Sequence, residues 1–532
     1  MKFRSKNDYA QIYSGDKKGY NLGLDSAMYI RKQANRTTFA VPRIGTQGKS
    51  VSDVNAATDI STGTDDKLKV SVDGSAAQLI TLTLAGLTTG QAIAAELESK
   101  INSALLASGL DSRVYVSFYH SDDHYEIISQ FTGTTSSVVV TNADSNNIAD
   151  DLKLGTANGG TETAGTNDKD FLLFTTGGAT YNQPIEPNAH RSGRFNSGII
   201  KQKKVAEFSF SKYVNMAGSP GDSLDEPVRL LWEQLLGSEE VVAGTAIRYK
   251  QALPSFYFSL VRVSTIFGEY YRGAYVRDMT LTIAGDAPAT EEWSGRAGDR
   301  SVAGLAKFNG GVSSSNVITL VDGEADLYSQ GALVMVVDTD GRTILYGADG
   351  SLSVTAVDTT LHKITINSNI TASNGSFLVP FDPGAVQQTA RDNIYTDLIG
   401  QFKIKASGPN IDVTSITLSF ENDHEDLDNY FGYDTNAGFV AGNRMNITLE
   451  ATFNLSNETM GAVIQTGEFK GFSPVIILGD VSGRHLKISA PKWMPSVPAI
   501  EVPESGVTEV TLEGLLLESS PGAKNPILVE FK

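Results

Sequence analysis

One short stretch of the chain carries residue types that could bind a metal ion. His120, Asp122 and His124 alternate within five residues, and imidazole nitrogens and carboxylate oxygens are ligands that divalent transition metals accept. On either side, the segments 114–118 and 125–127 show the alternation of a half-buried strand. Because Ser and Asp favour tight turns, we interpret the stretch as a solvated hairpin turn and predict no metal site.

A second candidate is a pair of adjacent carboxylates, Glu291 and Glu292, beside Trp293. Two carboxylates could act as the acid and base of a glycosidase, but neighbouring residues of a strand point to opposite faces of the sheet. The segment that begins at Asp338 lacks the glutamate that closes an EF-hand loop, and the segment that begins at Gly218 only approaches a nucleophile turn. We therefore predict no enzyme and no catalytic, cofactor-binding or metal-binding residues.

The composition points away from nucleic-acid binding and disulfide chemistry. The 532 residues carry 61 acidic and 43 basic side chains, a formal net charge of −18, which repels polyanions such as DNA. The basic cluster KQKK at 201–204 has no interleaved aromatic residues and is interpreted as a strand end or a subunit contact. The sequence has no cysteine, no leader-like start and no apolar run of bilayer length. We therefore expect a cytoplasmically made protein without membrane contact.

Short alternating segments separated by turn residues dominate the sequence and predict a mainly β fold. The length suggests several domains. We expect two β-sandwich or barrel-like modules, with an α+β insertion domain in the first and a small all-β insertion domain between them. The predicted boundaries are 1–50 and 190–300 for the first module, 51–189 for the α+β insertion, 301–390 for the β insertion and 391–532 for the second module.

Two segments show the spacing of amphipathic helices. The first, 89–106, has Thr88 and Gln91 at the positions of a capping box. The second begins with a capping pair, Ser223 and Glu226, and ends at Gly237, a residue type that favours helix ends. Both apolar stripes should cover a sheet, and the second could also face a neighbouring subunit. The stripes are Ile93, Leu97, Ile101 and Leu105 in the first helix, and Val228, Leu231, Trp232, Leu235 and Leu236 in the second.

A shortened copy of segment 205–295 returns at 445–514. Three fragments correspond in order: EFSF at 207–210 with NITL at 446–449, IFGE at 266–269 with ILGD at 477–480, and WSG at 293–295 with LEG at 512–514. An internal repeat of this kind indicates a repeated structural unit. We therefore predict one β-rich module built twice.

The repeated module resembles the tail tube proteins of long-tailed bacteriophages. The resemblance rests on a β-hairpin core with one amphipathic helix, and on the closing segments VRDMTLTIAGDAPATEEWSGRAG at 276–298 and VTEVTLEGLLLESS at 507–520. The segments KLKVSVDG at 67–74 and ADDLKLGTANGG at 149–160 resemble small insertion domains of flagellin-type and phage structural proteins. This second resemblance implies a decoration of the outer surface.

The tail-tube resemblance implies a structural virion protein whose rings stack into the tail tube, the conduit for genome ejection. It implies trimeric pseudo-hexameric or hexameric rings, a lumen lined with carboxylates through which DNA passes without specific binding, and contacts with sheath, tape measure, baseplate and terminator proteins. The expected location is the virion tail, assembled in the host cytoplasm. The residues expected to make assembly contacts are Phe208, Phe210, Trp232, Leu235, Trp293, Ile447, Leu449 and Leu512.

Two other functions stay open. One is another tail component of the same fold, such as a baseplate hub or a tube terminator, which would not form a repeating homopolymer. The other is a β-rich surface adhesin, which would bind glycans but would be expected to carry a signal peptide. Rings of three chains with two modules each and rings of six chains are both compatible with the sequence.

Overall fold

A computed structural model describes most of the chain. The described residues are 9–14, 27–36, 38–42, 47–110, 112–119, 123–132, 136–165, 170–172, 174–182, 185–187, 191–192, 195–196, 199–201, 204–214, 224–242, 245–264, 266–284, 287–341, 344–382, 400–404, 408, 410–427, 439–440, 445–454, 471–479, 485–496, 508–520 and 525–532. The fold is mainly β, as predicted, and all strand pairs in its named sheets are antiparallel.

Strands far outnumber helices among the described residues. The helices are α1 (Tyr9–Ser14), α2 (Gly90–Ala107) and α3 (Glu226–Leu236). The first strands are β1 (Ala27–Lys32), β2 (Gln47–Val51), β3 (Lys67–Val72), β4 (Gln78–Thr81), β5 (Val114–Tyr119), β6 (His124–Thr132), β7 (Val138–Asn142), β8 (Thr161–Thr163), β9 (Phe171–Leu172), β10 (Thr176–Asn182), β11 (Ile185–Pro187), β12 (Arg191–Ser192), β13 (Phe195–Asn196) and β14 (Ile199–Lys201). The middle strands are β15 (Val205–Tyr213), β16 (Gly237–Val242), β17 (Ala246–Gln251), β18 (Phe258–Val263), β19 (Phe267–Ala284), β20 (Ala287–Ala297), β21 (Asp299–Gly304), β22 (Ala306–Lys307), β23 (Val312–Thr319), β24 (Val334–Val337), β25 (Ile344–Tyr346), β26 (Val354–Asp358), β27 (Lys363–Ala372) and β28 (Phe377–Pro380). The last strands are β29 (Gly400–Lys403), β30 (Val413–Asn422), β31 (Glu425–Asp426), β32 (Phe439–Val440), β33 (Met445–Asn454), β34 (Val475–Gly479), β35 (His485–Ser489), β36 (Lys492–Pro495), β37 (Glu509–Leu517) and β38 (Leu528–Phe531).

The large sheet consists of two halves with the same strand order. Its path runs β10-β15-β20-β19-β30-β33-β37-β36. In each half, the strand that comes last in the chain lies third in the sheet, so β20 corresponds to β37 and β19 to β36. The same glycine pairing also recurs, because Phe208 lies opposite Gly295 and Leu449 lies opposite Gly514. The pairing of β19 with β30 joins the two halves.

A smaller sheet accompanies each half and repeats in the same way. In the first, β1, β18, the amino-terminal part of β19 and β21 lie side by side. In the second, β29, β34, β35 and β38 have the same order, and the hairpin β16–β17 is added to β38. We name β1, β10, β15 and β18–β21 the first unit, and β29, β30 and β33–β38 the second unit. The long strand β19 takes the places of both β35 and β36.

The two units share one hydrophobic core, and α3 fills its centre. Trp232 is fully buried, with its ring 5.5 Å from that of Trp293 and 5.9 Å from those of Phe420 and Phe531. It therefore contacts the first unit, the large sheet of the second unit and the small sheet of the second unit. Gln234 accepts a hydrogen bond from the backbone N–H of Val276 at 2.8 Å, which fixes the helix on β19.

Both predicted helices form, with other caps than predicted. Thr89, not Thr88, caps α2 by accepting a hydrogen bond from the N–H of Ala92 at 3.3 Å. Asp225 precedes α3 without a side-chain cap, while the predicted Ser223 lies outside the described residues. Gly237 ends α3 with a φ of 91°, as its residue type predicts. The predicted stripes of both helices are buried.

Two further apolar clusters lie outside the shared core. One belongs to the α+β unit, which we define as residues 47–165, where α2 covers the sheets formed by β2–β8. The other joins the inserted β unit, residues 305–381, to the outer face of the first unit's small sheet through Tyr29, Val261 and Tyr270. The predicted domain boundaries stay a prediction, but the shared core shows that the two units are packed together.

Candidate functional site

The solvent-facing side of the large sheet carries the most distinctive set of polar residues. Strict alternation places Phe208 and Phe210 in the core and Glu207 and Ser209 on the opposite side. The same alternation continues across the other strands of both halves. The outward positions are Glu207, Ser209, Ser211 and Tyr213 on β15; Asp278, Thr280, Thr282 and Ala284 on β19; Thr290, Glu292, Ser294 and Arg296 on β20; Ser415, Thr417, Ser419 and Glu421 on β30; Asn446, Thr448, Glu450, Thr452 and Asn454 on β33; and Glu509, Thr511, Glu513, Leu515 and Leu517 on β37.

We call this set the carboxylate face, because its charge is strongly negative. Seven of its positions are carboxylates and one, Arg296, is a cation that forms a 3.1 Å ion pair with Glu207. Lys492 adds a second cation on the edge strand β36. Most of the remaining positions are Ser or Thr, which stay hydrated and carry no charge. The face therefore repels polyanions and offers few apolar contacts.

Like charges lie directly opposite each other at two places on this face. Asp278 of β19 is the cross-strand partner of Glu421, and Glu450 of β33 is the partner of Glu513. The Cβ atoms of such partners are about 4.5–5.5 Å apart, and like charges at this separation destabilise a sheet. Ser294 relieves one of the four carboxylates by donating a hydrogen bond to Asp278 at 3.1 Å. The carboxylate face is thus maintained at a cost in stability.

The two strand edges at the ends of the large sheet are the second feature of the site. In the described part of the chain, β10 pairs as a strand with β15 and β36 pairs with β37. An isolated bridge between Phe472 and Trp493 also contacts β36. By position in the half-sheets, β10 corresponds to β30 and β36 to β19, the two strands that join inside the chain.

The adjacent carboxylates Glu291 and Glu292 point to opposite faces, as alternation predicted. Glu292 is exposed on the carboxylate face, whereas Glu291 is fully buried. The buried carboxylate forms a 3.0 Å ion pair with Lys212, itself only 2% exposed, and accepts a hydrogen bond from Trp293 at 2.9 Å. The two carboxylates cannot act on one substrate.

The residues predicted to make assembly contacts lie in the interior of this chain. Each is between 0% and 3% exposed and belongs to the shared core. Their side chains therefore contact the chain's own residues, and their predicted role in assembly stays a prediction. An alternating strand buries its apolar positions inside the sandwich and leaves its edge and its outward positions at the surface. These eight core residues are Phe208, Phe210, Trp232, Leu235, Trp293, Ile447, Leu449 and Leu512.

The other sequence motifs occupy turns or lie outside the described residues. His124 begins β6 and stacks on Tyr119 with ring centroids 4.6 Å apart, while His120 and Asp122 are outside the described residues. The segment at Asp338 is a turn, in which the N–H of Gly341 donates to the carbonyl oxygen of Asp338 at 2.9 Å. Where the structure describes the chain, no three metal-ligand side chains come together.

Within the described ranges, none of the helices combines the length and the apolar character needed to cross a bilayer. Comparison with known protein families finds no family that matches the chain. Comparison with curated proteins finds no matching sequence.

Proposed function

We propose that this protein is a structural virion protein that polymerises into the rings of a phage tail tube. The observation that carries the proposal is the β19–β30 junction, which joins two units of identical strand order. Within one chain, the first strand of the second half-sheet, β30, already pairs with the last strand of the first half-sheet, β19. The ends of the large sheet carry the strands that hold these two places in their half-sheets, β10 and β36, and Ser496, which directly follows β36, is the counterpart of Asp278.

A second copy of the chain can therefore add to the first by the same type of pairing. Every step of the path from β10 to β36 is antiparallel. Its eight strands alternate in direction, so β36 and the β10 of a following copy run in opposite directions, as an antiparallel pair requires. Contacts between unlike surfaces of identical chains close into rings or extend into filaments.

The carboxylate face supports the conduit part of the proposal. In a ring of continuous sheets it lies on one side of the wall throughout, and facing inward it would line a lumen. Carboxylates repel the phosphates of DNA, so the genome would slide through without specific binding. Two opposed pairs, Asp278 with Glu421 and Glu450 with Glu513, are easier to explain by such a role than by stability.

The proposal extends to assembly and location. Three chains with two units each would give a ring of six units, and six chains a ring of twelve. The finished tube would belong to the virion tail, be assembled in the host cytoplasm, and contact sheath, tape measure, baseplate and terminator proteins. A hub or terminator role would predict closed oligomers that do not stack, and an adhesin would predict a monomer that binds glycans.

The repeat fixes the register of the junction and so defines a cross-linking test. In the first unit, Asp278 lies opposite Ser294. In the second unit, Glu513 is the counterpart of Ser294, and its carbonyl oxygen accepts a hydrogen bond from the N–H of Ser496. Ser496 is therefore the counterpart of Asp278. On the other strand of the junction, Glu421 lies opposite Asn446. Asn182 lies opposite Val205, the counterpart of Asn446, so Asn182 is the counterpart of Glu421. Since Asp278 faces Glu421, the residue that faces Ser496 is predicted to be Asn182 of the next copy.

The chain has no cysteine, so a chain with Asn182→Cys and Ser496→Cys carries only the two designed thiols. Directly opposed strand positions meet the distance that a disulfide requires. Mild oxidation should give a ladder of covalent oligomers that ends at the number of chains per ring. A control chain with Thr180→Cys and Ser496→Cys, two residues out of register, should cross-link far less. Electron microscopy of the unmodified protein should show rings or hollow tubes. A stable monomer without cross-links would overturn the proposal.

A further inference from the structure

The outer faces of the two small sheets differ although their strand order is the same. In the first unit, this face is apolar and lies under the inserted β unit, with Tyr29, Val261 and Tyr270 in the joint cluster. In the second unit, the described residues form no comparable apolar cluster over the face. The outer face of the second unit's small sheet, which corresponds to the covered face of the first unit, is therefore available to bind another surface.

The outer face of the second unit's small sheet has an excess of cations, although most of them form ion pairs within the face, Lys250 with Glu240 among them. One cross-strand row alternates in charge: Glu240, Arg248, Glu530 and Lys487 follow one another through β16, β17, β38 and β35. Arg248 contacts Glu530 at 2.9 Å, and Lys487 contacts it at 3.4 Å. The next row places Lys250 on β17 and Lys403 on β29. We call these six residues the basic face, which has four cations and two carboxylates.

The cations around Glu530 lower the pKa of its carboxyl group. Burial by itself raises the pKa of this carboxyl group, yet its pKa is lowered. The hydrogen bond from Arg248 and the charges of Lys532 and Lys487 outweigh the burial. On a chain with a net charge of −18, a surface of this sign fits an acidic partner.

The α+β unit carries a large excess of carboxylates. Between residues 47 and 165 there are fifteen carboxylates and six Lys or Arg side chains, which is half of the chain's net charge. Its carboxylates crowd each other: burial raises the pKa of Asp151, and the charges of Asp150 and Asp65 raise it further. A basic surface would relieve this repulsion.

The position of the α+β unit in the chain favours contact with another copy. Its carboxyl end leads through β9 into β10, the edge strand of the first unit. The basic face lies on the small sheet of the second unit, and the large sheet of that unit ends at β36, the strand farthest from β10 along the path. Head-to-tail addition instead brings β10 of one copy beside the second unit of the preceding copy.

We infer that the α+β unit of one copy docks on the basic face of the second unit of the preceding copy. The contact rests on the proposed head-to-tail assembly and adds to it a second, electrostatic interface. It gives the α+β unit a role in holding neighbouring chains together. Because the contact is between opposite charges near the surface, it weakens as the salt concentration rises.

The test compares two charge reversals of the full chain. Lys403→Glu lies on the basic face, and Lys363→Glu changes a similar half-buried lysine on β27 of the inserted β unit. We expect Lys403→Glu to weaken self-association at low salt on the order of tenfold, with a flatter salt dependence. Lys363→Glu should leave both unchanged, and removing charge from the partner by Asp150→Asn with Asp151→Asn should act like Lys403→Glu.

The measurements are the mass of the assembly at several salt concentrations and the thermal unfolding of each variant. Unchanged unfolding excludes a folding defect as the cause of weaker association. If Lys403→Glu associates like Lys363→Glu while the Asn182–Ser496 cross-links still form, the docking proposal is wrong and the assembly proposal stands. If the unmodified chain forms no oligomer, the assembly proposal itself fails.

Discussion

Asp278 and Glu421 lie directly opposite each other on the strand pair that joins the two units of the chain. On the core side of the same strand pair, Met279 lies opposite Phe420 and Leu281 opposite Leu418. The junction therefore has two faces of different character, one that attracts through apolar burial and one that repels through like charges. Backbone hydrogen bonds and the apolar face must outweigh the repulsion.

Removing one of these charges should stabilise the protein. Asp278→Asn keeps the shape of the side chain and ends the repulsion with Glu421, so the free energy of unfolding should rise by about 0.2–1 kcal/mol. Urea unfolding at neutral pH measures the change. As a control, Glu207→Gln removes a carboxylate of the same face that has a partner, Arg296, and should leave stability unchanged or slightly lower. A loss of stability in Asp278→Asn would contradict the repulsive interpretation.

The repeated glycines should be needed in both units for the same reason. A methyl group on Gly295 would collide with the carbonyl oxygen of Tyr275, and one on Gly514 would collide with that of Met494. Gly295→Ala and Gly514→Ala should each cost about 1–3 kcal/mol, the usual cost of overpacking. Gly178→Ala is the matched control on β10, because its nearest neighbour would be the Ser209 hydroxyl at 3.7 Å.

Thermal unfolding of the three glycine variants decides the matter. The two repeat glycines should lower the melting temperature together, while Gly178→Ala should change it little. If only one repeat glycine proves sensitive, the two half-sheets do not share their local geometry at this position.

Removing one partner of the buried Lys212–Glu291 ion pair should lower the stability strongly, whereas replacing both residues by apolar ones should lower it much less. At the corresponding positions, the second unit has Phe453 opposite Val510. Lys212→Met alone leaves a buried carboxylate without its charge partner and should cost about 3–5 kcal/mol. The double variant Lys212→Phe with Glu291→Val should recover most of this loss, although Trp293 loses an acceptor. Equal losses in the single and double variants would show that the ion pair itself stabilises the core.

Sequence patterns predicted the local elements well, and the long-range pairings only in part. The apolar stripes of α2 and α3 were predicted correctly, because a 3.6-residue period reports directly on one buried face. The repeat was predicted from three pairs of fragments, and the last pair contains Gly295 and Gly514, which steric crowding makes necessary in both units. The sharing of one core could not be predicted, because alternation shows that a strand has a buried face but not which element covers it.

The carboxylate face could not be predicted for a related reason. The alternating Ser, Thr and carboxylate positions of segments such as 415–422 and 446–454 are typical of the solvated side of any strand. Only the register brings Asp278 beside Glu421 and Glu450 beside Glu513, and register is a tertiary property. The predicted assembly contacts rested instead on large apolar residues such as Trp232, whose size favours burial inside the chain.

Glu530 should make a contribution to the free energy of unfolding that is lost in acid. The pKa of this carboxyl group is lowered in the folded chain, where Arg248, Lys532 and Lys487 outweigh the effect of burial. A carboxylate with a lowered pKa contributes stability above its unfolded pKa, about 4.3, and that contribution is lost as the pH falls through the folded pKa. Glu530→Gln should therefore be less stable than the unmodified chain at pH 7, and the difference should shrink as the pH falls below the unfolded pKa of about 4.3 towards the lowered folded pKa. Urea unfolding at a series of pH values measures this, with Glu207→Gln as a control on the opposite sheet. A constant difference from pH 7 to pH 3 would mean that Glu530 acts through packing and not through its charge.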